Sequence, residues 1–424
     1  MAPGRPSGRA AEQVTVRAEV TIESIAAGGD GVGRADGRVV FVPRSAPGDI
    51  GVVELQDKGR FTRAEFRELR VRSPQRVAPP CGHYVTNRCG GCQVQHIAYA
   101  AQLEAKARIV RDAMRRIGKR DVELPVVHPS PTPWRYRRKL TLAMRREGQE
   151  WIAGLHPFDD ARTVFALHDC PITDQSVLEL WRDVLAAASH LPRANELRGA
   201  VRLDEEDSAS LTIEGGRTWP SSDAFFSAIP RLSALWWLPD TGERRCLHAR
   251  EAGSAPGASF AQVNPAVAML LRRRVMAAAM ARRPVTAVDA YSGLGDTARE
   301  LAAGGVRVTA IELDPDAVAW NASRLPPGSR AVAGRVEHVL GEALPADIVI
   351  LNPPRAGVDR RVAEILEAAR PEPLAIIYVS CDPATLARDV ARLPRYRIAS
   401  LESFDMFPQT AHVETICEMV PEAA

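Results

Sequence analysis

No stretch of this chain approaches the roughly 20 consecutive apolar residues that a membrane-spanning helix needs, so no membrane partner is expected. The N-terminal MAPGRPSGRAAEQ has no apolar h-region, which argues against a secretory signal; residues 1–13 read as a disordered tail. The chain is therefore expected in the cytoplasm, as a monomer, with its seven cysteines reduced or metal-bound. No internal repeat is evident. Charge of one sign is scarce overall, for 55 Lys and Arg stand against 52 Asp and Glu, a net +3. That balance hides an asymmetry: residues 51–150 carry 21 basic and 10 acidic side chains, leaving the remainder at −8. Such a stretch suits a polyanion-binding face, although ordinary solvated arginines give the same count. The 424 residues exceed one ordinary core and imply two or three domains. A hydrophobic content of 46% with 25% charged residues fits a globular protein.

The periodicity divides the chain into a multidomain α/β protein. Over residues 14–75, short apolar runs alternate with glycine turns, as in Arg38-Val39-Val40-Phe41-Val42 and Ile50-Gly51-Val52-Val53-Glu54-Leu55. About five short strands at this spacing predict a small OB-like β-barrel, a shape that often binds single-stranded nucleic acid. Ser73-Pro74-Gln75-Arg76-Val77-Ala78-Pro79-Pro80 reads as a linker. Residues 76–255 mix a basic helix at Ala98–Ile117, a helix near Gln175–Ala188, and strands at Leu140–Met144, Ala200–Leu203 and Ser210–Ile213. This predicts a central α+β domain. From residue 256 to 424 the rhythm becomes β-α-β-α, with strands at Thr286–Ala290, Val306–Ile311, Asp347–Leu351 and Leu374–Ser380. A doubly wound, Rossmann-like parallel sheet follows from that rhythm.

The candidate chemistry sits at the ends of those strands. Cys381 closes the run Ala375-Ile376-Ile377-Tyr378-Val379-Ser380, and Pro383 then opens a helical pattern. A thiol on the ligand-binding edge of an open sheet suggests covalent catalysis, whereas a free cysteine alone is commonly a small core residue. In Asp289-Ala290-Tyr291-Ser292-Gly293-Leu294-Gly295-Asp296, glycines follow a strand and open a helix. The third glycine of the dinucleotide fingerprint is missing, which disfavours a pyrophosphate cofactor. Glu312 ends the next strand, where a carboxylate can accept both hydroxyls of a ribose. Together these features fit S-adenosylmethionine better than NAD. Asn352-Pro353-Pro354-Arg355 is a rigid loop suited to presenting backbone carbonyls to a planar base. Finally, Cys81, Cys89 and Cys92 fall within twelve residues, and 77 residues separate Cys92 from Cys170. Zinc ribbons usually show two C-x2-C knuckles and here there is one, so the spacing favours a 4Fe–4S cluster over zinc. Cys246 and Cys417 read as structural.

Taken together, these residues resemble the bacterial RNA uracil-5-methyltransferases, closest to those acting on 23S ribosomal RNA. The resemblance runs from about residue 14 to the C-terminus. Asp36-Gly37-x2-Val40-Phe41-Val42-Pro43 and Ala46-Pro47-Gly48-Asp49 resemble the family's TRAM barrel. Phe260-Ala261-Gln262-Val263-Asn264 matches its F-x-Q-x-N motif, and Ser380-Cys381-Asp382-Pro383-x2-Leu386-x-Arg388-Asp389 its nucleophile motif. The resemblance implies S-adenosylmethionine binding through Gln262, Tyr291, Gly293, Gly295, Asp296, Glu312 and Asn352. It implies 4Fe–4S ligation by Cys81, Cys89, Cys92 and Cys170. It also implies attack of Cys381 on uracil C6, with Glu414 of His412-Val413-Glu414 as the base. The RNA substrate would be 23S rRNA, with tRNA as the alternative. Arg135, Arg137, Arg138 and Lys139, beside Trp134 and Tyr136, are candidate RNA contacts. Two departures stand out: asparagine at 352 where the family has aspartate, and Arg335 near a position that is often acidic. Two rival readings use the same residues. The Asn352-Pro353-Pro354 loop resembles that of exocyclic-amine methyltransferases, and the barrel with the cluster would serve a non-catalytic RNA-binding protein.

Overall fold

The computed structural model describes residues 16–59, 61–204, 206–250 and 262–422. The expected tail at 1–13, and Phe260 and Ala261 of the F-x-Q-x-N motif, lie outside the described residues.

Five strands, Arg17–Ile25, Gly31–Ala35, Arg38–Val42, Ile50–Asp57 and Thr62–Val71, close a barrel in the order first, second, third, fifth, fourth. Alternation drives it: Val20, Ile22, Val40, Val42, Val53 and Ala64 point inward and pack on one another. Asp36 and Gly37, at φ 48° and 77°, form the two-residue turn that joins the second and third strands. Asp49 is buried and accepts from the amides of Ala46 (2.6 Å) and Ser73 (2.9 Å) and from both ends of the Arg76 guanidinium. The Ala-Pro-Gly-Asp motif thus buckles the barrel to the segment that follows it.

The central sheet has seven strands, ordered Arg245–Ala249, Leu232–Leu238, Ala209–Glu214, Glu196–Leu203, Lys139–Glu147, Glu150–Leu155, Phe165–Ala166. One face carries Leu140, Leu142, Val201, Leu211 and Ile213 into a core shared with Val177, Leu178 and Trp181 of the helix Gln175–Ala186.

The C-terminal sheet has eight strands. Arg330–Ala333, Arg307–Glu312, Thr286–Ala290, Ile348–Leu351 and Ala375–Ser380 run parallel and adjacent, followed by antiparallel Glu414–Pro421, then Tyr396–Phe404, then Val126–His128. Three parallel strands, at 286–290, 348–351 and 375–380, are almost wholly buried because helices cover both faces.

Two elements of the interval 76–255 serve this last sheet rather than the central one. Val126–His128 is its edge strand. The helix Tyr99–Arg116 puts Met114 into the core of Tyr378 and Leu386. Lys106 of that helix is buried against Asp405, and its ammonium also donates to the Phe407 carbonyl at 3.0 Å. Periodicity identifies a helix but not the sheet that its apolar stripe covers.

Candidate active site

Four parallel strands end side by side, and each delivers one sequence-selected residue to the same edge: Glu312, Tyr291, Asn352 and Cys381. Glu312 is held rigidly. One carboxylate oxygen accepts from the Gly293 amide at 2.9 Å, the other from Leu313 (2.7 Å) and Asp314 (2.9 Å). The acid therefore fixes the glycine loop while keeping lone pairs for hydroxyl donors. Tyr291, Gly293 and Gly295 all have positive φ, at 62°, 54° and 80°. A side chain at Gly293 would enter open space, so the loop leaves a cradle in front of it, whereas one at Gly295 would run into the Asn321 amide.

Beneath the loop lie polar groups that sequence reasoning did not select. Asn321 is fully buried with neither amide atom hydrogen-bonded, and Asp289 Oδ2 and Ser292 Oγ are likewise unpartnered. Burial carries the Asp289 acid up to about 7. Asp296 opens the helix Asp296–Ala303 and is engaged by Arg299 and, at 3.6 Å, by Arg272. Glu337, in the helix after Arg335, acts on the Tyr291 hydroxyl, whose ionisation burial already opposes. An acid thus faces this edge two residues from the position where Arg335 departs from the pattern. The Asn352 amide donates to the Ala290 carbonyl at 3.2 Å, joining two strand ends. Gln262 is half-buried at the start of a pinned segment. The Val263 carbonyl accepts from the Arg138 amide at 2.9 Å, and Asn264 caps the helix Pro265–Met280.

Around Cys381 the motif residues each have a mechanical task. Asp382 caps the helix Pro383–Val390 by accepting from Ala384 and Thr385, both at 2.9 Å. Buried Asp389 accepts from the Tyr378 hydroxyl (2.8 Å), the Val358 amide (2.9 Å), Arg388 (2.9 Å) and Arg392 (3.0 Å). Arg388 also donates to the Ala356 carbonyl at 2.8 Å. Asp389 and Arg388 therefore clamp the loop that carries Arg355.

Ser380 pairs with Thr415 across the antiparallel ladder, so the next step of that register sets Cys381 against Glu414. Burial pushes the Cys381 thiol up, the neighbouring Glu414 raises it further, and Arg355 opposes both by charge and a hydrogen bond. Glu414 is 3% exposed with Oε2 unpartnered, and burial lifts it from 4.5 to about 8 against the pull of Arg355. Arg355 is therefore the shared cation of the pair. In the sequence, Arg355 stands out only as a charge where the loop of exocyclic-amine methyltransferases, which Asn352-Pro353-Pro354 resembles, carries an aromatic.

The four expected cluster cysteines converge on one cavity of about 140 Å³, lined also by His83, Tyr84 and Leu140. All four are buried, and the thiols act electrostatically on one another. No set of three or more His, Cys, Asp or Glu groups among the described residues is gathered tightly enough for a single metal ion. Cys417 lies in the core, as expected, but Cys246 is exposed.

Beside the candidate RNA contacts, Tyr136 is 4% exposed with its hydroxyl donating to the Pro408 carbonyl, and half-buried Trp134 packs on the central core. Arg135 pairs with Asp169 at 2.8 Å and donates to the Cys170 carbonyl, fastening the turn that bears that thiol.

Residues 330–419 match the sequence profile of tRNA (Uracil-5-)-methyltransferases, and residues 13–65 that of the TRAM domain. An RNA methyltransferase of Protochlamydia amoebophila is 30% identical over 433 residues, covering 96% of this chain and 98% of its own. Another, of Gloeobacter violaceus, is 34% identical over 451 residues, covering 94% and 95%. The fold is shared with the Pyrococcus abyssi tRNA (uracil-54, C5)-methyltransferase in complex with S-adenosyl-L-homocysteine. Its TM-score is 0.67 at 23% identity, over 95% of this chain and 99% of that one. A TRAM barrel joined to this sheet edge, with relatives matching over nearly their full length, leads to one assignment: the chain belongs to the RNA uracil-5-methyltransferase family and is an S-adenosylmethionine-dependent enzyme of that family.

Proposed function

We propose that the enzyme methylates C5 of a uridine in 23S ribosomal RNA through a covalent Cys381–C6 adduct, acting as a cytoplasmic monomer. The observation that carries this reading is the ladder register that sets Cys381 against Glu414, with Arg355 acting on both. Uracil C5 is a weak nucleophile. Addition of the Cys381 thiolate to C6 moves the C5–C6 π pair onto C5 and O4 as an enolate. S-adenosylmethionine, cradled at Gly293 and Glu312, supplies an electrophilic sulfonium methyl for C5. Glu414 then takes the C5 proton, the pair returns to the C5–C6 bond, and the sulfur leaves C6 as thiolate. The base must be unstacked to enter the pocket, which favours loops and single strands.

The name of the Pyrococcus abyssi protein, a tRNA (uracil-54, C5)-methyltransferase, supports tRNA as a second substrate reading. Purified enzyme given radiolabelled S-adenosylmethionine with separate 23S rRNA and tRNA transcripts is expected to label the rRNA at a single uridine. Label confined to tRNA would transfer the assignment, and label on exocyclic amines would end it.

We also propose that Cys81, Cys89, Cys92 and Cys170 hold a 4Fe–4S cluster. Four buried thiols line one void, and their spacing in the chain, one C-x2-C pair with a flanking and a distant cysteine, favours the cubane over zinc. The group would tie the segment 81–92 to the turn at 170 and would supply no reaction step. Anaerobically purified protein is expected to contain iron and sulfide. Stoichiometric zinc instead would defeat the proposal.

A further inference from the structure

Glu414 is the first residue of its strand and pairs with Phe404, the last residue of the strand before it. A ladder end frays unless the chain that closes it is held, so the place of Glu414 depends on how residues 405–413 are fixed. That connection folds back on itself. The Phe407 carbonyl accepts from the Thr410 amide (3.2 Å) and hydroxyl (2.8 Å). The Thr410 hydroxyl in turn accepts from the His412 amide at 3.2 Å, two residues before Glu414. Gln409 stands in this turn at φ 70°. A non-glycine residue keeps such a backbone only where its surroundings over-determine it.

Those surroundings come from residues 93–106, outside the methyltransferase domain. The Gln409 carbonyl accepts from the Gln93 and Val94 amides, both at 3.2 Å. Gln102 takes the groups that remain: its side-chain nitrogen donates to Gln409 Oε1 at 3.0 Å, and its oxygen accepts from the Gln409 main-chain amide at 3.1 Å. One helical turn on, Lys106 is 1% exposed and donates both to Asp405 and, at 3.0 Å, to the Phe407 carbonyl. Its charge reaches His412: burial and Arg355 depress that imidazole, and Lys106 adds to both.

A buried ion pair is a poor device for mere adhesion, because apolar side chains of similar volume often stabilise as much or more. The helix Tyr99–Arg116 already adheres through Met114. What an apolar residue lacks is a donor aimed at a main-chain carbonyl. Lys106 and Gln102 supply such geometry, at the two ends of one turn.

We propose that Lys106 and Gln102 are positioning residues for the reaction, setting the turn at 407–412 and through it the carboxylate of Glu414. The inference rests on the role of Glu414 proposed above and adds the residues that aim it.

Lys106→Met alone leaves Asp405 buried without its cation, which destabilises the fold. The deciding variant is therefore Lys106→Met with Asp405→Leu, apolar on both sides, whose melting temperature is expected to recover relative to Lys106→Met. Its turnover, on whichever of the 23S rRNA and tRNA transcripts the wild type methylates, should stay about 10²-fold low, the effect of misplacing a reacting group by about 1 Å. The loss should fall on release. RNA carrying 5-fluorouridine is expected to be trapped at the wild-type rate, while the ordinary transcript accumulates as a covalent adduct. Gln102→Met, which releases Gln409 and strands no charge, should shift the same partition. Amide exchange across residues 406–414 should quicken in both variants, and affinity for S-adenosylhomocysteine is followed in each to verify folding. A stable double variant with wild-type turnover overturns the proposal, as does one whose fluorouridine trapping slows as much as its turnover. Unchanged exchange across 406–414 overturns it whether or not either transcript is methylated. Glu414→Gln is measured beside them. Normal turnover there removes the base and this inference with it, whereas adduct build-up there beside wild-type release in the double variant removes this inference alone.

Discussion

Cys381→Ala is expected to lower methyl transfer by about 10⁴-fold or more, the scale on which loss of a covalent nucleophile acts, while RNA affinity stays at the wild-type value. The argument is electronic. Without a sulfur on C6, C5 has no localised electron pair to offer the methyl group, and no other side chain at this edge can supply one. Asn352 and Glu312 are not soft nucleophiles, and Glu414 is almost wholly buried. RNA carrying 5-fluorouridine separates this mechanism from its rival. Fluorine at C5 cannot leave as a proton is removed, so the methylated adduct cannot eliminate and a denaturation-stable protein–RNA species should accumulate. The Cys381→Ala enzyme should form none. An exocyclic-amine methyltransferase would use the Asn352-Pro353-Pro354 loop directly and would form no adduct in either protein. Retained transfer in Cys381→Ala would end the covalent reading.

What could be read from the chain alone follows from how local each signal is. The Cys381 turn was readable because strand, cap and first helical residue are consecutive: Ser380 ends the strand, Asp382 caps, and Pro383 occupies the first turn. Asp36-Gly37, which entered only through the resemblance to the TRAM barrel, forms a hairpin turn whose residues are likewise consecutive. Glu414 came only from the family resemblance, because its meeting with Cys381 depends on a ladder between segments more than thirty residues apart. Arg355 was legible only as a charge in place of the aromatic of the exocyclic-amine loop, which argued against that rival, and its action on both reacting groups needs the loop that Asp389 clamps. The basic run at Arg135–Lys139 shows the limit of charge counting. Arg135 serves the Cys170 turn and Arg138 pairs with Asp207. Val126–His128, at three residues, is too short for any periodicity to register.

Glu414→Gln is expected to separate adduct formation from release. Proton removal by a placed base contributes about 10²–10⁴-fold, so turnover should fall by that factor. A covalent adduct with ordinary uridine RNA should build up meanwhile, because Cys381 and the methyl donor remain. The pKa shifts explain how a thiolate and a carboxylate can work in one pocket. Glu414 raises the Cys381 thiol, so the thiolate forms most readily while Glu414 is neutral, its state below about pH 8. Once sulfur has become a thioether that charge is gone, and Arg355, which pulls Glu414 down, favours the carboxylate that takes the C5 proton. The same shift fixes the sign of a stability effect. The folded pKa lies above the unfolded one, so between about 4.5 and about 8 the native state binds more protons, and stability falls as pH rises through that window. Glutamine cannot ionise, so the variant should melt with wild type near pH 4 and progressively above it as pH rises from about 4.5 to about 8. Normal turnover in Glu414→Gln would remove the residue from the reaction. Equal melting of the two proteins above about pH 8 would show that no buried carboxylate is being forced to ionise there.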